Sequence, residues 1–113
     1  MKASGELSVD LPEDEWAALV SELDNQPGSL TAAACAALLS AAPSPAGISG
    51  ARWFTCSVAV ARELLRWCEA AAGRWRAYDP EAGAILDRAA RNLTFALWRV
   101  GEGPPPKAIQ YRP

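Results

Sequence analysis

From Asp79 to Gly101 the chain marks both ends of a helix, and this segment constrains the fold more than any other. Asp79 is a good N-cap, Pro80 suits the first helical position where its missing N–H costs nothing, and Gly101 is a natural stop. Ile85, Leu86, Ala89, Ala90, Leu93, Ala96, Leu97 and Val100 fall on one arc of about 140° at helical spacing. A helix over 79–100 with such a face needs a core to bury it. Its opposite arc should be polar, yet Phe95 and Trp98 stand there among Arg88, Arg91 and Arg99. Two large aromatic side chains therefore point away from the expected core.

The same reading extends over the rest of the chain. Ser49 is positioned to cap a long third helix over 50–77, on which Trp53, Phe54, Cys56, Val58, Val60, Ala61, Leu64, Leu65, Trp67, Cys68, Ala71, Ala72 and Trp75 cover about 200° of the wheel. Such a broad apolar arc predicts a central helix, with Arg62, Glu63, Arg66 and Glu69 on its solvent strip. Ser29 begins a second helix over 30–42, ended by Pro43 and Pro45 and expected to be buried on several sides. Pro12, followed by Glu13, Asp14 and Glu15 at the favourable end of the helix dipole, begins a first helix over 12–24. In that helix Trp16, Leu19, Val20 and Leu23 form the inward stripe, leaving Glu15, Ser21 and Glu22 outside. Residues 1–11 read as an extended arm, because Glu6 to Leu11 alternate polar and apolar side chains with period two. Residues 102–113 form a Pro-rich tail that cannot be helical at Pro104, Pro105 and Pro106. The expected fold is all-α: one four-helix bundle-like domain over 12–101, with a central third helix and short extended arms at both termini.

Charge and composition narrow the functional classes. Residues 1–51 carry one base and seven acids (net −6) and residues 52–113 carry ten bases and six acids (net +4), which restores the overall −2. Between Asp24 and Arg52 there is no charged residue, so that stretch is either buried or an interface. Cys35, Cys56 and Cys68 are odd in number, lie in apolar surroundings and show no C-x-x-C spacing, so buried reduced thiols fit better than disulfides or zinc. Neither an apolar leader in residues 1–12 nor a membrane-length apolar run is present, which predicts a cytoplasmic protein without a membrane partner. The excess of arginine over lysine and the high alanine content fit GC-rich bacterial coding.

The chain contains no histidine. Imidazole acid–base catalysis, Ser-His and Cys-His nucleophile pairs and most transition-metal sites are thereby excluded. No phosphate-binding glycine loop or nucleophile elbow is present, and the consecutive Glu13, Asp14 and Glu15 would point in different directions on a helix. A non-enzymatic protein is expected, with no cofactor, metal or small-molecule substrate. Arg88, Arg91, Phe95, Trp98 and Arg99 are the candidate partner-binding residues, since Trp and Arg dominate binding hot spots, unless the tail, the N-terminal arm or the loop from Pro43 to Ile48 folds over the two aromatics, which would need no partner. The partner is either a different protein or a second copy, whose acidic first helix would meet these arginines, although the opposed charges could equally neutralise each other within one chain. The alternative is a nucleic-acid-associated regulator of phage or toxin–antitoxin type, disfavoured by the acidic net charge and the scarcity of lysine. A ligand pocket lined by Trp53, Trp67 and Trp75 is the weakest reading, because tryptophans at these spacings are usually core.

Overall fold

The computed structural model describes residues 6–43 and 50–105; the first five residues of the expected arm, residues 44–49 and the expected tail from 106 onward lie outside it. The elements run β1 (Glu6–Pro12), α1 (Glu13–Asn25), α2 (Ala32–Leu39), β2 (Ala42–Pro43), β3 (Ala51–Ser57), α3 (Val58–Arg76) and α4 (Pro80–Arg99). Four helices stand beside a three-stranded antiparallel sheet of order β1-β3-β2. The fold is therefore α+β, and the all-α bundle expected from the sequence is wrong.

The largest departure lies at residues 50–57. Where a single helix over 50–77 is expected, the chain forms a strand and then a shorter helix. Gly50 takes a positive φ of 78°, a turn conformation that suits glycine, and delivers the chain into β3. In β3, Phe54 and Cys56 point inward while Thr55 and Ser57 point outward, the period of a strand. Ser57, not Ser49, caps α3, accepting the Val60 N–H at 3.1 Å. Without residues 50–57 the fully buried part of α3, Ala61, Leu64, Cys68, Ala71 and Ala72, spans only about 100° of the wheel. The other apolar residues of α3, Val58, Val60, Leu65, Trp67 and Trp75, widen its apolar arc and are half-buried at the sides of that line.

β1 supplies the long-range partner that holds β3 extended. The register sets Leu7 opposite Cys56 and Val9 opposite Phe54, so the apolar sides of both strands coincide. That face meets α4, α1 and α3, while Glu6, Ser8, Asp10, Thr55 and Ser57 on the other face are exposed. The core is one cluster built from Leu7, Val9 and Leu11 of the sheet, Leu19 of α1, Leu38 of α2, Leu64 and Cys68 of α3, and Leu86 and Leu93 of α4.

α3 and α4 form an antiparallel hairpin with the most extensive contact in the molecule. Gly83 allows the approach, because a Cβ there would sit 3.0 Å from the backbone of Arg76. The Asp79 carboxylate accepts the N–H groups of Glu81 and Ala82, and Gly101, at φ 77°, ends α4. α2 is shorter than 30–42 and is capped by Thr31 rather than Ser29. It is also peripheral: only Ala34 and Leu38 are buried, and Leu39 is 56% exposed. Among the described residues no helix is long and apolar enough to cross a membrane.

Candidate protein-interaction face

The carboxylates of α1 determine which arginines remain outside. The buried line of this helix is Glu15, Leu19 and Glu22, spaced i, i+4, i+7, so two carboxylates face inward where the sequence places them outside. Each is only 3% exposed. Glu15 accepts the Asn92 amide at 2.6 Å and lies 3.6 Å from the Arg88 guanidinium. Burial raises its carboxyl pKa above the ordinary range, against the opposing effect of the Asn92 hydrogen bond. Glu22 accepts the Trp75 indole N–H at 2.8 Å and the Arg74 guanidinium. α1 thus clamps α4 through its first turn and the end of α3 through its third. Neither role was legible, because the apolar set Trp16, Val20 and Leu23 gives a plausible stripe of its own.

These contacts bring the two oppositely charged halves of the sequence together inside one molecule. Glu13 pairs with Arg52 at 3.0 Å, Asp14 with Arg88 at 3.8 Å, and Glu22 with Arg74. Arg76 pairs with Asp87 at 3.2 Å and Arg62 with Glu102 at 3.1 Å. Among the described residues, Arg66, Arg91 and Arg99 have no carboxylate within ion-pair distance.

The five residues singled out on the last helix therefore separate. Arg88 is turned towards α1 and committed there. Arg91 is exposed and lines a groove of about 550 Å³ between α3 and α4, together with Leu65, Glu69, Thr94, Leu97 and Pro105. Phe95 and Trp98 are 40% and 45% exposed, and their rings are 5.7 Å apart at an interplanar angle of 42°. The Arg99 guanidinium carbon lies 5.5 Å from the Phe95 ring centre, a cation–π distance. Val100, expected from the sequence on the core arc, is instead 45% exposed at the C-terminal end of α4. Arg91, Phe95, Trp98 and Arg99 form one outward stripe, i, i+4, i+7 and i+8.

Trp53, Trp67 and Trp75 do not share a pocket. Trp53 belongs to β3; the Trp67 indole donates to Ser29 Oγ at 2.9 Å and the Trp75 indole to Glu22. Trp75 does border a cleft of about 220 Å³ with Ser21, Asn25 and Asp79, but both oxygens of Glu22 there are already bonded. Among the described residues no three His, Cys, Asp or Glu side chains group as metal ligands. Burial pushes the Cys56 thiol up to about 11 and the Cys68 thiol to about 12, so neither is a thiolate near neutral pH. No protein family, curated protein or solved structure matches this chain.

Proposed function

We propose that this chain is a non-enzymatic protein-interaction module whose docking face is the outward stripe of α4. The observation that carries this reading is the exposed Phe95–Trp98 pair with Arg99 stacked on it. An apolar surface of this kind costs solubility unless something covers it, and stacked Trp and Arg side chains are the types that anchor interfaces. The same reading places the protein in the cytoplasm, where free thiols such as the buried Cys56 and Cys68 are stable.

Trp98→Asp tests it. Wild-type chain immobilised on resin should retain a specific protein that can then be purified and titrated back. Trp98→Asp should keep the far-ultraviolet helical signal and lose that binding by about a hundredfold, the effect of removing one hot-spot anchor. Leu39→Asp, an even more exposed apolar position on α2, should leave binding unchanged. Equal affinity of the wild type and Trp98→Asp would show that the face is misassigned.

A further inference from the structure

We infer that the occupant of the α4 face is an acidic, amphipathic segment of a different protein, and not a second copy of this chain; this rests on the interaction-module reading above. Charge is the first ground. Arg52, Arg62, Arg74, Arg76 and Arg88 each face a carboxylate of their own chain. On the stripe, Arg91 and Arg99 do not, among the described residues, and they stand on either side of Phe95 and Trp98. Asp87, one turn before Arg91, is held by Arg76 at 3.2 Å. The complement of this pattern is one or two apolar side chains flanked by carboxylates about 12 Å apart, given the 1.5 Å rise per residue between Arg91 and Arg99.

The acidic first helix of a second copy offers no such complement. The acidic cluster it would present, Glu13, Asp14, Glu15 and Glu22 of α1, is engaged with Arg52, Arg88 and Arg74 of the same chain, and Glu15 and Glu22 are buried. Size is the second ground. A stable interface between two folded proteins takes roughly 20–30 residues a side. The stripe of Arg91, Phe95, Trp98 and Arg99 is far smaller and suits a short helix laid along α4. In the neighbouring groove the Glu69 carboxylate, which holds no ion pair among the described residues, disfavours an acid, whereas Arg91 and Arg99 favour one.

The probes are three helical peptides of about four turns that share a leucine stripe and differ only in the flanking residues: glutamate, glutamine or lysine. A single-stranded oligonucleotide is the fourth. Each is titrated into the full-length wild type, Arg91→Glu/Arg99→Glu and Trp98→Ala by calorimetry, with amide shifts as the map. The glutamate peptide should bind with shifts centred on residues 91–100, and the glutamine peptide about tenfold more weakly. The charge-reversed variant, whose replaced arginines hold no ion pair within the described residues, should prefer the lysine peptide. Equal binding of the glutamate and glutamine peptides at this face would overturn the acidic partner while leaving the face itself intact. Binding unaffected by Trp98→Ala, or mapped elsewhere, would overturn both. Tighter binding of the oligonucleotide than of the glutamate peptide, or no binding by any peptide, would also end the proposal.

Discussion

Glu15 shows how one carboxyl can couple stability to pH. Its pKa is raised in the folded protein because burial disfavours the charged form more than Asn92 and Arg88 favour it. A carboxyl whose folded pKa exceeds its unfolded value stabilises the fold at low pH, and that contribution is lost as pH rises through the folded pKa. Glu15→Gln retains an oxygen for the Asn92 amide and cannot titrate. In urea denaturation the stability of the wild type relative to Glu15→Gln should therefore be greater at pH 4.5, the ordinary value for this group, than at neutral pH. A difference independent of pH would mean that Glu15 is not the coupling group. The outward residues follow the opposite logic: Phe95 and Trp98 lie outside the buried core and Arg99 stacks on Phe95, so replacing them should change binding more than folding.

At the scale of elements, the α3–α4 hairpin depends on one close approach. Gly83→Ala would put a methyl 3.0 Å from the Arg76 backbone, which cannot rotate away, and should destabilise the protein by about 1–3 kcal/mol in chemical denaturation. Gly73→Ala, within α3 with nothing within 4 Å of its added Cβ, should instead stabilise it by about 0.5–1 kcal/mol. The same signs at both positions would refute this packing. The helix at 79–100 was legible because its signals are local: an Asp cap, a proline at N1 and a terminal glycine. β1 was visible as alternation over residues 6–11, and its pairing was not. β3 was hidden because Trp53, Phe54 and Cys56 run on in phase with the helical pattern that begins at Val58. What makes β3 a strand is β1, 39 to 51 positions earlier, and no local pattern carries that contact. α2 misled for a related reason, since an alanine-rich helix without charges reads as central, whereas small side chains also suit a thin peripheral helix.

At the scale of the molecule, the acidic first half and the basic second half meet within one chain. The candidate face was legible as a set of residue types on the wrong side of a helix. Its division was not, because assigning Arg88 to Asp14 and Glu15 requires knowing that α1 lies across α4. Once those pairs form, the attraction expected between copies is largely spent inside each copy, and the face left exposed is aromatic with two arginines that hold no ion pair among the described residues. The solution mass of the purified chain by light scattering, at low and at high salt, tests this most directly. The expected result is a 12.0 kDa monomer at both salt concentrations. A dimer or larger assembly that dissociates as salt is added would contradict it, because the charges would then be joining molecules rather than closing one.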